Sequence, residues 1–314
     1  MRATNARTDR TTDAVLMGVA LVWGSSYLVA KGLTAAASVL VVLSLRYVLS
    51  AVALALVCRW TRVKASGTKE VSVGVLLGCT QACVLTLETF GVSATTATNA
   101  GLIISLTVVF TPLLDTAWGR TSLPAPFFAA TTVAVVGVAL LVSDDGLRAP
   151  GWGDGLMLAA AAVRAVHVSL IGRLTAARRY SSLVLTTVQA ATGALLLSVA
   201  AAPQLGAAVT HLPSVAWAQL IYLALACTVF AFLAQTWAIR RTSPSRASLL
   251  MGTEPIWAVA VGVRLGDESL TAVAALGACL ILVATYYGQH VERTHRMGAK
   301  ATDRPEPVTS QPGQ

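Results

Sequence analysis

The chain has 314 residues, 55% of them hydrophobic and only 12% charged, about half the charged fraction of a soluble globular domain. Mean hydropathy is +0.70, and 23 Lys and Arg against 14 Asp and Glu give a formal net charge of +9. These values exclude disorder, a coiled coil and an ordinary water-soluble fold. They also set nucleic acid aside as a partner, because the basic residues lie singly between apolar runs and are not gathered on one exposed face.

Crossing about 30 Å of hydrocarbon takes about 20 mostly apolar residues in a helix. In chain order, such runs lie near 13–32, 37–57, 71–90, 96–116, 126–143, 152–172, 183–202, 214–238, 245–265 and 271–289. The fold class is therefore an all-α membrane protein of about ten transmembrane helices. Continuous apolar blocks argue against a barrel, which would alternate over ten-residue segments. Residues 1–12 form a cytoplasmic N-terminal segment and 290–314 a polar tail predicted to be disordered, with Pro305, Pro307 and Pro312. The first apolar run exceeds the core of a signal peptide, so it is read as an uncleaved helix.

With the N-terminus inside, 18 basic residues fall on the cytoplasmic side, from Arg2, Arg7 and Arg10 through Arg120 and Arg246 to Lys300 and Arg304. Only Lys31, Arg148 and Arg264 fall on the other side, while Arg46 and Arg164 lie inside spans. That asymmetry is a positive-inside signal for a multi-pass protein of the inner or plasma membrane with both termini cytoplasmic. Trp60, Trp118, Trp152, Trp217 and Trp237 fall at helix ends, where amphipathic rings favour the headgroup level; Trp23 and Trp257 do not. The five cysteines form neither a disulfide framework nor a zinc ligand set, and no metal or cofactor is expected.

Ten spans divide into five plus five at the Asp144–Gly151 loop, giving repeats at 13–143 and 152–289. A shift of 148 residues lays Thr96–Leu123 on Pro244–Thr271, setting Thr107 opposite Pro255 and Trp118-Gly-Arg-Thr-Ser-Leu opposite Gly266-Asp-Glu-Ser-Leu-Thr. An odd number of helices per repeat inverts the second half, a build typical of secondary transporters with a site between the repeats near the midplane.

Trp23-Gly-Ser-Ser-Tyr, Leu45-Arg-Tyr and Ala97-Thr-Asn-Ala-Gly-Leu-Ile resemble a first EamA repeat. Thr253-Glu-Pro-Ile-Trp, Gly266-Asp-Glu-Ser-Leu-Thr and Ala275-Leu-Gly-Ala-Cys-Leu-Ile resemble the second. Together they resemble the EamA family of the drug/metabolite transporter superfamily, which implies a ten-helix carrier of small metabolites and favours export. The chain departs from the family pattern in two places. Gly119-Arg120 stands where the first repeat usually shows Gly-Glu, leaving Glu268 as the surviving acid, and Arg164 replaces an expected aromatic.

Arg46, Glu88, Arg164, His167 and Glu254 lie within hydrophobic runs. An ionised group facing lipid at mid-depth costs about 2.5–3.5 kcal/mol, so these residues are expected to face the bundle interior. Depth counting puts Arg46, Arg164 and Glu254 near the midplane and Glu88 toward the outer end. One reading has Arg46 or Arg164 gripping a substrate carboxylate or phosphate through the planar guanidinium, with Glu254 or Glu88 binding an ammonium or carrying a proton. The other has Arg and Glu pairing only to hold helices together. His167 follows Arg164 by three residues on one helix face, either as a proton relay or as packing. Trp23, Ser26, Asn99 and Trp257 complete the candidate substrate-binding set, and Pro112 and Pro255 are candidate hinges.

Gly151-Trp-Gly-Asp154 resembles the signature of intramembrane aspartyl proteases, but Asp154 sits at a helix start and has no second aspartate at matching depth. The chain reads as a non-enzymatic transporter of a small polar or amphipathic, amino-acid-like metabolite, working by alternating access with the proton as candidate coupling ion. A drug-like or biosynthetic product is the alternative cargo, and a non-transporting membrane enzyme or scaffold the alternative class. The partners are the lipid bilayer and the small-molecule substrate, with a homodimer left open.

Overall fold

A computed structural model of the chain describes residues 2–118, 124–142, 151–175, 178–241 and 251–302. Among them there is no strand; the elements are α1 (Arg2–Ala36), α2 (Val39–Thr61), α3 (Thr68–Ala94), α4 (Ala97–Ile104), α5 (Thr107–Ala117), α6 (Ala125–Val142), α7 (Trp152–Thr175), α8 (Ser182–His211), α9 (Ser214–Ala224), a π-helical turn (Leu225–Phe230), α10 (Ala231–Arg241), α11 (Glu254–Leu265) and α12 (Ala272–Thr302). The pairs α4–α5 and α9–α10 each form one interrupted passage, giving ten passages. Seven of these are long and apolar enough to cross a membrane, and Ala125–Leu140 and Ala272–Gly288 are shorter apolar helices.

The C-terminal end of the described chain departs from the sequence expectation. α1 begins at Arg2, and α12 continues past His290 to Thr302, so 290–302 is helical where a disordered tail is predicted. No proline occurs between His290 and Arg304, and the Glu, Arg, Met, Ala and Lys of this stretch are good helix formers. Arg120, Arg148, Arg246, Arg304 and residues 303–314 lie outside the described residues.

The packing shows the inverted repeat directly. α2 packs on α8 and α6 on α12, each helix on its own repeat counterpart. The remaining pairs exchange: α1 on α11 mirrors α7 on α4–α5, and α3 on α7 mirrors α9–α10 on α1. This exchange is the contact pattern of two halves related by a two-fold axis in the membrane plane. The outward faces carry apolar side chains such as Val52, Leu56, Leu195, Val199 and Val283, while Trp60 and Trp152 are exposed at helix ends.

The first and second repeats break their fourth helix at matching places. The first interruption falls at Ser105-Leu106 after α4, and α11 begins after Gly252-Thr253, within one residue of the 148-residue shift. Around the first break, Val108 N donates to Ser105 O at 3.0 Å and Val109 N to Leu106 O at 2.9 Å, the tighter three-residue pattern. Hydroxyls stabilise this break, Ser105 Oγ donating to Leu102 O at 2.6 Å and Thr107 Oγ1 to Ile104 O at 2.8 Å. Pro112 lies inside α5, five residues beyond its start, whereas Pro255 sits in the first turn of α11, where a missing N–H costs no helical bond. Of the two candidate hinge prolines, only Pro255 is at a break.

Close approach of helices at the centre depends on small residues. A Cβ on Gly24 would lie 2.5 Å from Trp257 Cβ and 2.7 Å from Glu254 O. The absence of a side chain at Gly24 is what lets α1 lie against the start of α11.

Candidate functional site

Six of the ten passages deliver charged or polar side chains to one cavity at the middle of the bundle. It is lined by Trp23, Ser26 and Tyr27 from α1, Arg46 from α2, Gln81 and Glu88 from α3, Arg164 and His167 from α7, Phe232 and Gln235 from α10, and Glu254 from α11. Arg164 sits at the centre. Its Nη2 lies 3.1 Å from Glu254 Oε2 and its Nη1 3.3 Å from Glu254 Oε1, the two-pronged geometry a guanidinium offers a carboxylate. Arg164 Nη1 also reaches Glu88 Oε1 at 3.5 Å, and the guanidinium carbon stands 4.3 Å from the centre of the Trp23 ring. Tyr27 donates its hydroxyl to Glu254 Oε1.

Depth counting along α3 sets Glu88 apart from Arg164, yet the two pair. The Cα–Cβ bond leans toward a helix's N-terminus. α3 and α7 start at opposite membrane faces, so Glu88 leans down as Arg164 leans up, and the long arginine side chain closes the gap.

The second arginine is held differently. Arg46 Nε donates to Thr228 Oγ1 at 2.7 Å, and Thr228 Oγ1 in turn donates to Leu223 O at 3.0 Å within the π-helical turn. Trp23 Nε1 donates to Cys227 O at 3.0 Å and Ser50 Oγ to Ala224 O at 3.1 Å, so carbonyls freed by the wide turn are occupied by side chains of α1 and α2. This turn also brings Phe232 against Trp23, with ring centres 5.3 Å apart, forming an aromatic wall.

The polar atoms in the cavity are incompletely satisfied by protein. His167 Nδ1 pairs with Thr80 Oγ1 at 2.8 Å, but His167 Nε2, Gln81 Oε1 and Gln235 Oε1 are buried without a protein partner among the described residues. Buried polar atoms of this kind are normally occupied by water or ligand. The open space is small, about 20 Å³, room for roughly one water. Beyond the Arg164–Glu254 pair lies a second space of about 30 Å³, with Ile104, Val108, Val168, Met251 and Pro255 on its wall, set between the two helix breaks. The pair thus divides a polar compartment from an apolar one.

Of the residues proposed from sequence, Trp23, Ser26, Arg46, Glu88, Arg164, His167 and Glu254 share the polar compartment. Asn99 and Trp257 do not line it: Asn99 is half-buried in the first turn of α4, its N–H donated to Thr96 Oγ1, and Trp257 packs beside Gly24. Tyr27, Gln81, Phe232 and Gln235 escaped the sequence reading. Their signal was helical spacing: Tyr27 lies four residues after Trp23, and Gln81 seven before Glu88. Asp154 plays the end-of-helix part expected of it, accepting from Gly151 N at 3.1 Å and Thr95 Oγ1 at 2.6 Å.

The sequence model of the EamA-like transporter family matches residues 10–143 and 151–287, once on each repeat. The chain belongs to the EamA-like transporter family. It is also 27% identical over 274 residues to an uncharacterized transporter of Archaeoglobus fulgidus, covering 87% of this chain and 83% of that one. A protein of known crystal structure aligns over 91% of this chain and 98% of its own with a TM-score of 0.64; at 16% identity that likeness speaks for the fold alone. Family membership, the seven helices long and apolar enough to cross a membrane and the two shorter apolar ones make this a multi-pass membrane transporter built of two EamA repeats.

Proposed function

We propose that this EamA-family transporter exports a small zwitterionic, amino-acid-like metabolite by alternating access across the cell membrane, with both termini cytoplasmic. The observation that carries this reading is the charge-balanced cluster at the bundle centre, in which Arg164 holds Glu254 and Glu88 beside three buried polar atoms lacking a protein partner. A substrate carboxylate takes the place of Glu254 in the guanidinium fork of Arg164, and the released Glu254, with Glu88, receives the substrate ammonium or a coupling proton. The apolar compartment along Ile104, Val108, Val168 and Met251 accepts the side chain, so an amphipathic amino acid fits both halves.

The spaces present hold only one or two waters, so loading requires the helices around Arg164 to part. The matching breaks after Ile104 and before Glu254 border the apolar compartment and give that motion two places to bend. The aromatic wall of Trp23 and Phe232 favours a second reading, export of a drug-like product.

The test is net transport of radiolabelled amino acids into proteoliposomes driven by an imposed proton gradient, with and without a protonophore. Saturable flux of zwitterions that collapses on a proton short-circuit supports the full reading. Flux of an apolar cation or neutral product with no competition by amino acids favours the second.

A further inference from the structure

Opposite the face that holds the termini, one carboxylate ties together three elements that border the site. Glu268 stands in the connection between α11 and α12. Its Oε1 accepts Ala97 N at 2.7 Å and its Oε2 accepts Thr98 N at 2.9 Å, capping the exposed amides at the start of α4. Lys31, one turn beyond Tyr27 on α1, places Nζ 3.5 Å from the same Oε1. The connection is shaped for this contact. Asp267 adopts a left-handed φ of 51°, Glu268 N donates to Gly262 O at 3.2 Å, and a Cβ on Gly262 would come within 2.7 Å of Glu268 Oε2.

α1 carries Trp23 and Tyr27, α11 carries Glu254, and α4 leads into the first helix break. These three elements must separate for the cavity to open on this face. We infer that Glu268 is a gating residue, a latch that holds the face opposite the termini closed by bridging α1, α4 and the α11–α12 connection. The corresponding connection of the first repeat, Trp118-Gly-Arg-Thr-Ser-Leu, contains no carboxylate, so this latch has no equivalent at the matching place on the other face. There Glu70, at the start of α3, instead accepts Ser66 N and Ser181 N at 2.6 Å. The asymmetry gives an inverted-repeat protein two unequal gates, tied by carboxylates at different places in the fold. The latch rests on alternating access and is independent of which substrate is carried.

The test uses the full chain in cells and in inverted vesicles, with the five native cysteines replaced and a single reporter, Leu85→Cys, on the cavity wall. The rate of alkylation by a membrane-impermeant maleimide is measured from each face. Glu268→Gln, which keeps the shape but loses the charge, raises labelling from the Lys31 face about tenfold, the factor of one charge-assisted hydrogen bond. Labelling from the face of the termini stays level or falls. Glu268→Ala gives a larger change of the same sign, and thermal stability identifies any variant that has simply come apart. Unchanged labelling in a folded Glu268→Gln protein, or an increase from the face of the termini, overturns the latch. Because alkylation reads no flux, this result stands apart from the identity of the substrate.

Discussion

Replacing Arg164 with methionine separates a structural ion pair from a transport site. Arg164 is 9% exposed, donates twice to Glu254 and once to Glu88, and stacks on Trp23. Its removal takes a four-charge cluster of zero net charge, Arg46, Glu88, Arg164 and Glu254, to a net charge of −1 in a buried site. Removing one member of a buried pair costs about 3–5 kcal/mol, and the loss of the Trp23 contact puts this case in the upper half of that range. The double variant Arg164→Met, Glu254→Gln restores neutrality, leaving Arg46 against Glu88, and should recover to within about 1 kcal/mol of the parent. Thermal unfolding of the purified proteins reads stability, and proteoliposome flux reads transport. The single variant is expected to lose both, and the double to regain stability without flux. Recovery of flux in the double variant would refute a substrate-binding role and leave the pair as a tie between α7 and α11.

Three further outcomes follow from the geometry. Gly24→Val drives a side chain into Trp257 Cβ and Glu254 O and should cost about 3 kcal/mol or prevent folding, while Gly155→Ala, with nothing within 4 Å of the added methyl, should be neutral or stabilising by up to about 1 kcal/mol in thermal unfolding. Val108→Phe fills the apolar compartment, so flux should fall first for the amino acids with the largest side chains, with glycine and alanine least affected. For Glu268, burial raises the carboxyl pKa, but hydrogen bonds from Thr98 and Ala97 and the Lys31 ammonium outweigh it and hold the group below the ordinary carboxylate range. A depressed pKa means the latch is present above the ordinary value and lost only as pH falls through the lower one. The ratio of Glu268→Gln to parent labelling from the Lys31 face cancels the pH dependence of the reporter thiolate. That ratio should therefore stay level from neutral pH through the ordinary carboxylate range and fall toward one only below it.

The architecture was legible because lipid imposes a coarse rule that single residues obey. Long apolar runs and one-sided Arg and Lys give the passages, and the 148-residue shift gives the two repeats, whereas the equivalence of the two helix breaks emerges only in the structure. The site was legible for the same reason: Arg46, Glu88, Arg164 and Glu254 are too costly to face hydrocarbon, so they had to meet inside. Less visible were residues whose burial in lipid is cheap. Tyr27, Gln81 and Gln235 carry no charge and read as ordinary polar interruptions until the helices are packed. Asn99 and Trp257 were chosen for residue type within a motif, and neither reaches the cavity. Proline alone misplaces the first break, since Ser105 and Thr107 hydroxyls allow the helix to open well before Pro112. The π-helical turn at Leu225–Phe230 leaves no pattern in the sequence that propensity can detect. It depends on Trp23 and Ser50 arriving from other helices to occupy carbonyls at and beside it, and on Arg46 donating to the Thr228 hydroxyl.

The central claim is that Arg164 binds the carboxylate of a zwitterionic substrate in place of Glu254. The most direct measurement is counterflow of a labelled amino acid in proteoliposomes, competed by its amide and by its decarboxylated amine. The account predicts that the free amino acid competes while both analogues fail, and that Arg164→Met, Glu254→Gln abolishes the counterflow in a folded protein. Equal competition by the amine lacking a carboxylate would contradict it.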